Sequence, residues 1–229
     1  MGKIKSVRPL TENPHVNLYF VEAENKNGRP FKYYVASRAK TVEQMKLKTG
    51  KNTPDGVIIY SLCGEKQDRV VLVRQYRCAI NDYIYEFPAG LVDPGETYHQ
   101  AAVRELREET GLTLHPLEVP DYLEAPRFTT IGMTDESCAM VYGYADGEIR
   151  GDLMEENEEI ELVTADRAEA LRILKEENVA VMCAYMLMHF IHDEEPFGFL
   201  GIYCSDVIPH IPDADWGILF LPEGGQRRG

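Results

Sequence analysis

Short blocks of apolar residues recur along the chain, and their spacing separates strands from helices. Residues 16–23 (VNLYFVEA) and 30–37 (PFKYYVAS) are rich in aromatic and β-branched residues, and Asn27-Gly28 lies between them. That combination predicts a β-hairpin. Residues 38–55 are polar and lysine-rich and end in NTPDG, which reads as a connection between two units. Beyond it, strands are predicted at 57–62, 69–76 and 83–87. Residues 96–110 hold strong helix formers without Pro or Gly until Gly111, predicting one helix of about four turns. Further strands are expected near 122–125, 137–144 and 159–163. Two helices follow. The first, 166–176, would place Ala170, Leu171 and Leu174 on one side; the second, 178–192, is apolar nearly all round and should be buried. Strands on both sides of an interposed helix imply an α/β or α+β sandwich. The tail, 193–229, carries Pro, Gly and Trp216, with no periodicity that assigns it a role.

The helix at 96–110 carries the candidate chemistry. Glu105 and Glu109 stand at i, i+4 and Glu105 and Glu108 at i, i+3, so three carboxylates crowd one side. Like charges at that spacing repel. Hard cations relieve the crowding, because Mg2+ takes a few carboxylate oxygens and leaves its other positions to water and phosphate. Arg104 can reach Glu108 or lean on Glu105, a placement suited to orienting them. Taken alone, RELREE is a solvated amphipathic face. Its context argues otherwise: Gly90 before it, Glu96 in the preceding turn and Gly111 after it. Ala101, Ala102 and Leu106 supply a small apolar contact side.

Whole-chain properties bound the function. At 229 residues the chain has room for an ample core. Its net charge of -14 argues against nucleic-acid or anionic-membrane binding, and an acidic protein acting on anions needs cations at its site. Five cysteines without CxxC spacing suggest neither a zinc site nor a disulfide framework. The N-terminus lacks the apolar core of a secretory signal, and the most apolar run, 179–191, is too short to span a bilayer. A cytoplasmic location is the expectation. Met1, Gly2 and Ser6 fit an acylation pattern too short to outweigh it. His189 and His192, beside Asp193 and Glu194, read as residues that end a helix and meet its dipole.

Residues 90–112 read G-x5-E-x7-R-E-L-x-E-E-x-G-L. This pattern resembles that of the Nudix hydrolases, with nine positions matching at once. RQYR at 74–77 and YEFPAG at 85–90 resemble the approach to that box in the ADP-ribose and nucleotide-sugar pyrophosphatase branch. The resemblance implies a Nudix-type α/β/α sandwich with a small N-terminal antiparallel β-sheet domain, divided as 1–52, 53–195 and a C-terminal extension 196–229. The N-terminal sheet is similar to the extra domain by which that branch forms swapped homodimers.

Carried over by position, the resemblance implies that Glu105, Glu109 and the Ala89 carbonyl bind Mg2+, with Mn2+ as a substitute. Glu108 and Glu96 would be auxiliary and Arg104 would orient them. Arg77 would contact substrate phosphate or ribose, with a strand-closing surface arginine as the alternative. Tyr33, Tyr34 and Phe31 are candidates for stacking on a base or for sheet packing. In the acidic run MEENEE, Glu156 matches the catalytic base and Glu158 an extra metal ligand, with Glu155 and Glu159 as alternatives. Gly132 keeps the backbone freedom a close phosphate approach would use, but Ile131 replaces the proline common there, which puts ADP-ribose itself in doubt. The implied activity is metal-assisted hydrolysis of ADP-ribose or a related nucleoside diphosphate sugar, a small-molecule substrate. The alternatives are another nucleoside diphosphate compound, such as a dinucleotide or coenzyme, and a non-catalytic Nudix sensor of ADP-ribose. The intact Glu105, Glu108 and Glu109 argue against the sensor.

Overall fold

A computed structural model describes residues 2–149 and 159–201. Strands β1 (Lys3–Pro9), β2 (Asn17–Glu24) and β3 (Pro30–Ser37) form a three-stranded antiparallel sheet in that order. The predicted hairpin is β2–β3, and its turn is pinned by the Asn25 side-chain oxygen, which accepts the N–H groups of Asn27 and Arg29. Strand β1 carried no apolar alternation to announce it. Nearly all its residues are exposed, and it is held by its ladder to β2. The polar connection that follows holds the short helix α1 (Lys46–Thr49), preceded by the fully buried Met45.

The second sheet has eight strands: β4 (Gly56–Cys63), β5 (Arg69–Arg77), β6 (Asp82–Glu86), β7 (Ala89–Leu91), β8 (Thr113–Pro116), β9 (Arg127–Phe128), β10 (Ser137–Asp146) and β11 (Ile160–Ala165). Its main path runs β11-β5-β4-β10-β8, with β6 on β5, β7 on β4 and β9 on β10. Among the described strands only the β4–β10 pairing is parallel. Four helices among the described residues accompany it: α2 (Tyr98–Thr110), α3 (Asp121–Glu124), α4 (Arg167–Glu176) and α5 (Val181–His192).

The central strands divide their side chains between two cores with the period of two that a pleat imposes. Val57, Ile59, Val71 and Val141 join Ala101, Ala102 and Leu106 of α2. Tyr60, Leu62, Leu72 and Tyr142 join Ile173 of α4 and Leu187 and Phe190 of α5. Because both faces are covered, these strands read as continuous apolar runs. The result is an α/β/α sandwich with a small antiparallel sheet beside it.

Four expectations need correction. Residues near 122–125 form α3 and not a strand: the Ala125 N–H bonds the Asp121 carbonyl, closing a helical turn after Pro120. The helix read from residue 96 begins at Tyr98, because Thr97 is its N-cap and pairs with Gln100 in a capping box. In α4 the buried positions are Ala170 and Ile173, and Leu171 is exposed. In α5 only one face is buried; Val181, Tyr185 and Met188 stay exposed. Near the end of the described residues Phe197 and Leu200 are buried against the α5 side of the sheet. No helix among the described residues is long and apolar enough to cross a membrane.

Hydrogen bonds fasten the small sheet to the loop between β9 and β10. The Ala36 N–H donates to the Met133 carbonyl at 2.9 Å, the Asp135 N–H returns to the Ala36 carbonyl at 3.4 Å, and the Tyr33 hydroxyl donates to the Gly132 carbonyl.

Candidate active site

Helix α2 and the turn before it build the acidic wall. The Thr97 cap fixes where the helix starts, and Gly111, at φ +78°, ends it in a left-handed turn that a side chain would strain. Between them Arg104 acts as a hub. Its Nε and one terminal nitrogen grip both oxygens of Glu96 at 3.1 and 3.0 Å. The other nitrogen donates to Glu105 at 2.8 Å and Glu108 at 3.0 Å, and the fifth N–H reaches the Leu91 carbonyl at 3.0 Å. A guanidinium has five N–H donors, and all five are used. The Arg104 bond holds the Glu96 carboxyl below its ordinary range, helped by the Asp93 backbone N–H. The same carboxylates raise the pKa of Arg104.

Strand β7 brings the backbone up to this wall. A Cβ on Gly90 would lie 1.9 Å from the Glu105 carboxyl carbon, so the Glu105 side chain passes through space that only glycine leaves open. Glu109, 7 % exposed, sits deeper on the same helix. Ala89, Gly90, Glu105, Glu108 and Glu109 all line a cavity of about 780 Å³. Within the described residues no three His, Cys, Asp or Glu side chains already form a metal cage. The donors that α2 and β7 bring to the cavity, the carboxylates and the Ala89 carbonyl, are nonetheless all oxygen, which fits a hard cation that draws its remaining ligands from water and phosphate.

Two ion pairs from other elements also line the cavity. Arg77, ending β5, donates to Glu86 of β6 at 2.7 Å, and Arg38, just past β3, donates to Glu136 at 2.9 Å. All four line the cavity, as does Cys138. Burial pushes the Cys138 thiol up to about 11, so it stays protonated at neutral pH and is no nucleophile.

The structure therefore brings Ala89, Arg104, Glu105, Glu108, Glu109 and Arg77 to one cavity. Tyr33 and Gly132 lie together elsewhere, bonded to each other and outside that cavity's lining. Glu156 and Glu158 fall outside the described residues. Glu159, an alternative in the same run, accepts the Tyr83 hydroxyl. Sequence reasoning passed over Arg38, Glu86 and Glu136. Glu86 lies within the quoted YEFPAG, but nothing local marks Arg38 or Glu136, because their pairing spans 98 residues.

Known proteins resemble the chain in sequence and in fold. The NUDIX domain matches residues 52–184. The chain is 39 % identical over 77 residues to an ADP-sugar pyrophosphatase of Mus musculus, covering 32 % of this chain and 35 % of that protein. It is 30 % identical over 102 residues to an ADP-ribose pyrophosphatase of Saccharomyces cerevisiae, covering 44 % of each. The chain thus spans less than half the length of these two relatives. A crystal structure of an ADP compounds hydrolase superposes with a TM-score of 0.58 at 18 % identity, covering 83 % of this chain and 91 % of that one, a likeness of fold. The domain match spans most of the eight-stranded sheet and its helices, α2 with its glycine, arginine and carboxylates among them, and the chain belongs to the Nudix family.

Proposed function

We propose that the protein hydrolyses the pyrophosphate bond of ADP-ribose or a related nucleoside diphosphate sugar. The observation that carries this reading is that one cavity is lined both by carboxylates gathered by Arg104 and by the guanidinium groups of Arg77 and Arg38. Guanidinium groups suit diphosphate oxygens, and the carboxylates suit the cation such a substrate needs. Glu105, Glu109 and the Ala89 carbonyl would hold Mg2+, with Mn2+ as a substitute. When bound, the ion neutralises phosphate oxygens and lowers the pKa of a water.

The chain's own residues do the rest. Arg104 keeps Glu105 and Glu108 in one geometry, and Arg77 and Arg38 hold the diphosphate. By the family resemblance Glu156 takes the proton of the attacking water, with Glu155, Glu158 and Glu159 as alternatives, and Glu158 serves as a further metal ligand. Water adds to one phosphorus, the bridging P–O bond breaks, and ADP-ribose gives AMP and ribose 5-phosphate. A homodimer is the proposed assembly, to be checked by light scattering.

A panel of ADP-sugars, dinucleotides and coenzymes with Mg2+, read by phosphate release after phosphatase coupling, tests the activity. Turnover fastest on the ADP-sugars is expected. Fastest turnover on a dinucleotide or coenzyme moves the protein to another Nudix substrate class, and no turnover on any compound leaves a binding role only.

A further inference from the structure

A buried carboxyl that the acidic cavity does not use joins the start of α2 to α3. Glu124, the last residue of α3, is 3 % exposed, a rare place for an ionisable side chain. One of its oxygens lies 2.9 Å from the Nε2 of His99, in the first turn of α2, and the Tyr98 hydroxyl approaches the same oxygen at 3.5 Å. The other oxygen is buried with no hydrogen-bond partner. That orphan is costly while the group is an anion and much less so when it is neutral. The His99 side chain is 42 % exposed, so the pair has one face in the interior and one in water. Neither His99 nor Glu124 lines the acidic cavity.

The groups around Glu124 come from three elements. Tyr98 and His99 face it from α2, Asp121 from α3 itself and the Tyr142 phenol from β10. Arg127 of β9, which also acts on Tyr142, spends its guanidinium on the carbonyls of Tyr122, Ala125 and Pro126. Burial holds the Glu124 carboxyl above its ordinary range; His99 and Tyr98 oppose the rise and Asp121 adds to it. Its contribution to stability is therefore present below the unfolded value of about 4.3 and lost as pH rises through the higher folded one.

The two partners differ in how firmly they are held. Helix α2 is capped and packs Ala101, Ala102 and Leu106 into the core, whereas α3 has four residues, tied to β10 by the Tyr142 hydroxyl donating to the Leu123 carbonyl at 3.4 Å. Strand β9 begins three residues after Glu124, and the loop beyond it returns to the cavity. There the Thr129 N–H donates to the Glu136 carbonyl at 3.1 Å and its hydroxyl to the Glu136 carboxylate at 3.2 Å, and Glu136 pairs with Arg38.

We propose that His99 and Glu124 are positioning residues for the Arg38–Glu136 pair that lines the cavity, acting as a proton-operated latch. One proton shared across the contact keeps the pair neutral overall and holds α3 against α2. When that proton passes to water through the exposed face of His99, a buried anion with an unpaired oxygen is left, and α3, β9 and the loop to Glu136 loosen together.

Hydrogen exchange of the full chain, read by mass spectrometry from about pH 5 to about pH 8, tests the latch without any substrate. Protection of residues 121–136 is taken as a ratio to that of α5 in the same sample, which cancels the pH dependence of exchange itself. In the parent this ratio is expected to fall at least ~10-fold over the range. Glu124→Gln keeps the shape and has no proton to lose, so its ratio should stay within ~2-fold. His99→Ala, a change at a partly exposed residue, should give a low ratio at every pH. A level ratio in the parent, an equal fall in Glu124→Gln or a parental profile in His99→Ala overturns the proposal. A fall confined to residues 121–128 overturns the reach of the latch to the cavity.

Discussion

The two walls of the acidic cavity are built in opposite ways. The carboxylate wall is local: Glu96, Arg104, Glu105 and Glu108 lie within a single turn and helix, and their bonds join residues one to eight positions apart. The wall that holds Arg77 and Arg38 draws on separate parts of the chain: Arg77 meets Glu86 nine residues on, in the β5–β6 pair, and Arg38 meets Glu136 across 98 residues. The local wall is over-determined by capping, a glycine stop and a saturated guanidinium. The distant wall rests on two ion pairs that are a fifth to a half exposed, a class of interaction worth little to stability. Chemistry is therefore expected to reside in the first wall and recognition in the second.

The largest effect should follow removal of one charge from the local wall. Glu109→Gln is expected to lower kcat at least ~100-fold with a small change in KM, measured by steady-state kinetics on the best substrate; near-parental turnover would remove Glu109 from the metal set. Next comes Gly90→Ala. Its methyl group must displace the Glu105 carboxylate, and a shift of about 1 Å at a catalytic group can cost ~100-fold, so a loss of at least ~10-fold in kcat is expected with the melting temperature nearly kept. Arg38→Ala should act on the other wall, raising KM about 10-fold with kcat within about threefold. A fall in kcat alone would erase the division between the walls.

The smallest effect is in stability. The Glu96 carboxyl titrates below its ordinary range when folded, so its bond to Arg104 stabilises the protein above the unfolded value of about 4.3 and is lost as pH falls through the lower folded value. Glu96→Gln should therefore melt about 2 °C below the parent at pH 7, with the gap closing in acid. A gap that persists at pH 2 would mean that the charge is not its source.

The same contrast explains what could be read in advance. Glycines, glutamates and arginine at fixed spacing reveal the local wall, since each contact is a matter of helical periodicity. The β2–β3 hairpin and the central strands were legible through turn chemistry and apolar runs. Strand β1 was not, because an edge strand exposed along its length has no pattern, and α3 was mistaken because four residues are too few to show a period. Arg38 and Glu136 are ordinary surface letters until the fold brings them together. The α5 stripe of Val181, Tyr185 and Met188 shows the reverse error: an apolar residue need not be an interior one.

Arg104 has one further consequence. With its five donors spent inside the protein, it has nothing to offer a ligand and cannot vote on which one binds. A lineage could exchange Arg38, Arg77 or the loop around Ile131 and change its diet without touching the hub, whereas any replacement of the hub would be felt on every diet alike. The part of the chain most easily recognised is thus the part least informative about what each descendant consumes.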